Sequence, residues 1–82
     1  MALGPLPLTM TKIGERVRLI EIRGGVKLNQ RLTALGLTPG IELSLVQDSG
    51  GPLIISVRES RIALGRGMAH HIMVSLVDEY KN

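Results

Sequence analysis

Apolar and polar residues alternate with a period of two along most of this chain, and the period lengthens to that of a helix in one interval. Alternation predicts strands, because successive strand side chains point to opposite faces, whereas helical side chains share a face at i, i+3 and i+4. The first alternating stretch is Glu15 to Ile22, and its rhythm slips midway: Val17 and Leu19 share one face, Ile20 and Ile22 the other. Such a slip predicts a bend or bulge, the device by which small curved sheets turn. Gly24-Gly25 then ends the strand. Leu28, Leu32 and Leu35 follow at i, i+4 and i+7 and predict a helix with one apolar stripe, opposite Gln30, Arg31, Thr33 and Ala34.

Gly36 suits the left-handed position just past that helix, which would bring Leu37 onto Leu32 in a Schellman ending. Thr38-Pro39-Gly40-Ile41 predicts a type II turn, since proline presets the second position and glycine accepts positive φ at the third. A half-buried strand carries Ile41, Leu43 and Leu45 inward between Glu42 and Ser44. Asp48 to Pro52 is the loop that ends it, and Leu53, Ile55 and Val57 are the next inward set. Glu59-Ser60 makes a tight connection to Arg61–Leu64 without the Asn-Gly or Asp-Gly of a favoured hairpin turn. Gly65 to Ala69 is a short turn or a single helical turn, and Ile72, Val74 and Leu76 alternate with His71, Met73 and Ser75 as the last strand. The predicted fold class is therefore mainly β: about five short, largely antiparallel strands with one helix inserted after the first. Closure into a small barrel would hide the sheet edges. The 82 residues form one predicted domain with a core over about 8–77 and tails at 1–7 and 78–82.

Composition narrows what such a domain can do. Its apolar content is Val, Ile and Leu with four Met, four Ala and Tyr80, and it has no Phe, Trp or Cys. Single-stranded nucleic-acid platforms stack bases on aromatic rings, and proline-rich peptide grooves are lined by them, so both classes lose their usual means. Thiolate metal sites and thiol nucleophiles are excluded, as are disulfides. No apolar run reaches the ~18 residues of a membrane span, and no basic residue precedes the apolar positions of residues 1–11 as in a secretion signal. These features predict a cytoplasmic protein without membrane insertion.

The net charge of +3 is uneven: residues 1–31 hold six basic and two acidic side chains, and residues 32–82 hold four and five. With a pI near 10.0, this basic end keeps open a nucleic-acid-binding barrel as an alternative function, against the shortage of aromatics. A second alternative is a free-standing metal-responsive module, for which His70 and His71 are the candidate ligands. Their adjacency opposes chelation, because neighbouring side chains on a strand diverge. Met68 and Met73 read as packing residues that fill an aliphatic core. Gly24-Gly25 and Gly50-Gly51 lack the Lys-Ser or Lys-Thr of a phosphate-binding loop and read as turns. No G-x-S-x-G elbow or paired-carboxylate constellation is present, so no enzyme activity and no cofactor are expected.

Leu8, Gly14-Glu15, the segment Arg31-Leu32-Thr33-Ala34-Leu35-Gly36-Leu37-Thr38-Pro39-Gly40, then Gly51-Pro52, Ile62-Ala63-Leu64 and Ala69, Ile72 and Val74 together resemble the FeoA family, small accessory proteins of bacterial ferrous-iron uptake. The ten-residue segment is the most specific part, since it sets helix end, turn and strand start together. Gly14, Leu32, Leu35, Gly36, Leu37, Pro39 and Gly40 are its structural motif residues. Glu59-Ser60 departs from the family, whose members often place glycine in that turn. The resemblance implies an SH3-like β-barrel and a non-enzymatic role beside FeoB, the membrane ferrous-iron transporter with a cytoplasmic GTP-binding region. It also implies a place at the inner face of the cell membrane through that partner. Candidate partner-binding residues are Arg31 on the polar helix face, Lys27 before it, and Asp48, Ser49 and Gly50 in the loop. Arg31 is also the candidate for an arginine supplied in trans to a GTPase. Self-association through an edge strand or the apolar residues near the N-terminus stays open.

Overall fold

The computed structural model describes residues 5–77. Its elements are strand β1 (Leu6–Pro7), a 3₁₀ turn (Leu8–Met10), β2 (Arg16–Ile22), helix α1 (Val26–Ala34), β3 (Glu42–Asp48), β4 (Leu53–Val57), β5 (Ser60–Leu64), the single turn α2 (Arg66–Ala69) and β6 (Ile72–Leu76). All pair antiparallel in one sheet of order β1-β6-β2-β3-β4-β5. The fold is mainly β with one principal helix after the long first hairpin partner, as the alternation predicts. The sixth strand is β1: Leu6 and Pro7, expected in a tail, pair with Val74 and Met73. Two residues ending in proline carry no alternation for a sequence pattern to detect. The hydrogen-bonded sheet is also not closed, because β1 and β5 are its edges. The two-residue length of β1 and the exposed Arg61 on β5 protect these edges in place of closure. The predicted tail at 78–82 lies outside the described residues.

The slip in β2 is a bulge. Leu19 pairs with Val74 and Glu21 with Met73, so Ile20 is the additional residue. The bulge restores Ile22 to the core side with Val17 and Leu19 and leaves Ile20 outside, so Ile20 and Ile22 do not share a face as expected. A second bulge at Val46 bends β3 against β4. The core gathers Leu8, Leu19, Leu32, Leu37, Leu53 and Ile55, all fully buried, with Leu28 and Met68 packed against it. Each such leucine stabilises the fold by roughly 1.5–3 kcal/mol relative to exposure. Met73 is buried and Leu76 is half-exposed, the reverse of a simple alternation in β6.

The helix end follows the expected motif. Gly36 has φ +91°, its N–H donates to Thr33 O at 2.9 Å, and Leu37 N–H donates to Leu32 O at 2.9 Å. These are the two bonds of a Schellman motif, and they bring the buried Leu37 against the buried Leu32. Leu35, expected in the apolar stripe, is 42% exposed instead. It is the C-cap, where the chain already leaves the helix, so the i+7 position no longer faces the sheet. The type II turn forms as well, with Gly40 at φ +97° and Ile41 N–H donating to Thr38 O at 3.1 Å. Lys12 to Glu15 repeats it: Gly14 has φ +92° and Glu15 N–H donates to Lys12 O at 3.1 Å.

Candidate protein interaction surface

Packing places α1 with Leu32 and the partly buried Leu28 inward and its other face outward. Lys27 and Arg31 stand at i and i+4, both exposed, and neither has a hydrogen-bond or ion-pair partner among the described residues. Arg31 sits in the last turn, where a cation complements the helix dipole; Lys27 sits in the first turn, where it opposes the dipole by about 0.3–1 kcal/mol. No acidic side chain occupies that first turn, and the N-cap Gly25 has no side chain to cap it. Gly24, Val26, Asn29, Gln30, Thr33 and Ala34 line an open, mostly apolar groove of ≈ 500 Å³ beside these cations. Val26 is 72% exposed there. An apolar floor with flanking cations is suited to a partner helix or loop carrying acidic residues.

The loop candidates form a separate cluster. Asp48 is the last residue of β3 and not a loop residue; its Oδ1 accepts from Gly50 N–H at 3.2 Å and from Arg66 Nη2. The Gly50 amide first, and the Arg66 guanidinium second, hold the Asp48 carboxyl below its ordinary value of 3.8. Gln47 Nε2 donates to Ser49 Oγ at 3.4 Å. Asp48 therefore braces the loop and joins it to α2, and its charge is already engaged. Sequence reasoning missed Arg66, since a partner 18 residues away has no local signal. No hydrogen bond or ion pair among the described residues links Asp48, Ser49 or Gly50 to Lys27 or Arg31.

His70 and His71 fall at the end of α2 and before β6, both exposed, with ring centroids 6.1 Å apart and planes at 75°. They lie off the strand, and the rings meet edge to face. Among the described residues no three His, Cys, Asp or Glu side chains group as a metal-binding set. Folding also redistributes the basic N-terminal half. Glu42 accepts from Arg18 at 2.6 Å and lies 3.9 Å from Arg16, and Glu21 pairs with Arg23 at 2.8 Å. Three of its arginines thus face carboxylates, one of them supplied by β3, and among the described residues no continuous basic stripe of the nucleic-acid-binding type results.

Comparison with known proteins bears on the same fold. The FeoA domain family model matches residues 6–76. A Methanocaldococcus jannaschii protein named for Fe(2+) transport, protein A, is 43% identical over 68 residues, 83% of this chain and 83% of its own. The crystal structure of an iron uptake regulatory protein (FeoA) superposes with a TM-score of 0.82 at 37% identity, covering 92% of this chain and all of the other. The solution structure of a FeoA-like protein from Clostridium acetobutylicum superposes with a TM-score of 0.83 at 20% identity over 98% of this chain and 95% of the other, a likeness of fold.

Proposed function

This chain belongs to the FeoA family, and from that premise we propose that it is a non-enzymatic accessory protein of ferrous-iron transport that docks on the cytoplasmic GTP-binding region of a FeoB-type membrane transporter. The observation that carries the docking is the outer face of α1, where Lys27 and Arg31, without a hydrogen-bond or ion-pair partner among the described residues, stand beside an open apolar groove. Cations of this kind steer association and select an acidic partner surface. Arg31 supplies a guanidinium available in trans to the charge of phosphoryl transfer. No helix among the described residues is long and apolar enough to cross a membrane, so the reading places the chain at the membrane only through its partner.

The test is retention of the full chain on the immobilised cytoplasmic domain of a FeoB-type transporter in its nucleotide-free, GDP and GTP-analogue states. Retention is expected in at least one state and should weaken about tenfold, roughly 1.4 kcal/mol, in Lys27→Glu/Arg31→Glu. Retention in none of the three states removes the proposal. Single-turnover GTP hydrolysis by the same domain separates docking from activation: Arg31→Ala that docks but fails to accelerate hydrolysis assigns the trans role to Arg31.

A further inference from the structure

The outer face of the sheet carries a second surface that shares no residue with the α1 face. Strand register aligns Arg16 on β2, Ser44 on β3, Ser56 on β4 and Arg61 on β5 as successive cross-strand partners. Their chain neighbours Val17, Leu43 and Val57 are buried, so the row lies on the side away from the core. Arg16, Ser44 and Ser56, with Glu42, Leu43 and Arg58, line a groove of ≈ 230 Å³. That is smaller than the roughly 300–1,000 Å³ of pockets for drug-sized ligands, and it suits one small polar group.

The chemistry of the lining is cationic and rich in donors. The lining itself holds two guanidiniums, Arg16 and Arg58, and one carboxylate, Glu42, which Arg18 engages at 2.6 Å. The half-buried Ser44 and Ser56 hydroxyls make no hydrogen bond among the described residues, and Arg61 continues the row beyond them. Arg58 is the decisive residue. It is the first of two residues joining β4 to β5, and its φ is +57°, the one positive value at a non-glycine position among the described residues. Hairpin turns reserve such positions for Gly, Asn or Asp. The Arg58 side chain has no hydrogen-bond or ion-pair partner among the described residues that would offset this strain. Backbone strain at a side chain with no polar partner among the described residues points to a role in binding rather than in folding.

We propose that this groove is a binding site for a phosphate group, held by the Arg16 and Arg58 guanidiniums and the Ser44 and Ser56 hydroxyls. A phosphate presents several strong acceptor oxygens on a compact body, enough to use two guanidinium forks and two hydroxyls at once, where a carboxylate has only two oxygens. Free phosphate anions and anionic phospholipid headgroups share this chemistry. The site stands independently of docking through α1, because neither Lys27 nor Arg31 takes part.

The full chain is titrated with inorganic pyrophosphate at ionic strength held constant with sodium chloride, and the melting temperature is followed. The parent protein should gain several degrees saturably. Arg58→Gly, whose backbone suits positive φ, should keep at least the parent melting temperature without the anion and lose the gain. Ser44→Ala/Ser56→Ala, which leaves the turn untouched, should weaken the half-saturating concentration several-fold, and Arg23→Ala, outside the groove, should leave it unchanged. Flotation with phosphatidylglycerol or phosphatidylcholine vesicles separates the sources. Retention on phosphatidylglycerol alone that Arg58→Gly abolishes assigns a headgroup, and a pyrophosphate gain without vesicle retention assigns a free phosphate. Equal gains in the parent and Arg58→Gly overturn the proposal, as does the absence of both a gain beyond chloride and phosphatidylglycerol retention.

Discussion

Two tight reversals of this chain meet the same backbone demand with opposite residues. Where α1 ends and β3 begins, positive φ falls on Gly36 at +91° and Gly40 at +97°. Where β4 turns into β5, it falls on Arg58 at +57°. The first reversal is anchored from below by Leu32 and Leu37, both fully buried, so local turn chemistry and core packing agree. The second has exposed residues at both loop positions and gains its geometry from ladder pairing on either side, Val57 with Ser60 onward. A turn that obeys local rules tells how the chain folds. A turn that breaks them, with no hydrogen bond or ion pair in return among the described residues, directs attention to what the residue does.

That contrast can be tested at four places. Leu37→Ala should cost about 2–5 kcal/mol in a denaturant titration, because it removes a fully buried side chain and opens a cavity beneath the glycine turn. A cost below about 1 kcal/mol would mean that the first reversal is not anchored by the core. Gly36→Ala should cost about 1–2 kcal/mol through φ alone. No atom lies within 4 Å of a Cβ placed there, so clash contributes nothing.

Arg58→Gly should change stability in the other direction. Relief of about 1–2 kcal/mol of left-handed strain equals or exceeds the roughly 0.5–1 kcal/mol of added glycine entropy, leaving a gain of between zero and about 1.5 kcal/mol. A loss of stability would show that the second turn is not strained and that the two reversals do not differ.

The smallest effect concerns Asp48, which braces the loop between the two regions. Its carboxyl is held below 3.8 in the folded protein, so the folded state binds fewer protons than the unfolded one in that range. Its contribution is present above the unfolded value near 3.9 and is lost as pH falls through the lower folded value. The stability difference between the parent and Asp48→Asn should therefore be present at neutral pH and close below about pH 4. A difference constant across pH would remove the Gly50 and Arg66 contacts as its cause.

Much of the fold was legible because the informative residues act locally. The bulge at Ile20 shows as a slip in alternation, and Leu35-Gly36-Leu37 and Pro39-Gly40 mark a helix end and a turn within six positions. β1 was illegible because a two-residue strand ending in proline exists only through Val74 and Met73 of β6. Leu35 was misplaced because periodicity continues past the point where the helix stops. Of the candidate surface, Arg31 could be placed on a polar helix face by spacing, whereas Lys27, expected just before that face, belongs to the first turn of α1. The engagement of Asp48 by Arg66 could not, because 18 residues separate them.

The amino-acid sequence by itself determined the mainly β class, the single helix, the main turns and an aliphatic core, since each depends on periodicity or on the φ preference of single residues. Tertiary structure alone decided which charges engage one another among the described residues. It also set the row Arg16, Ser44, Ser56 and Arg61 across four strands. Register is a property of paired strands, and a one-residue shift would send every one of those side chains to the other face.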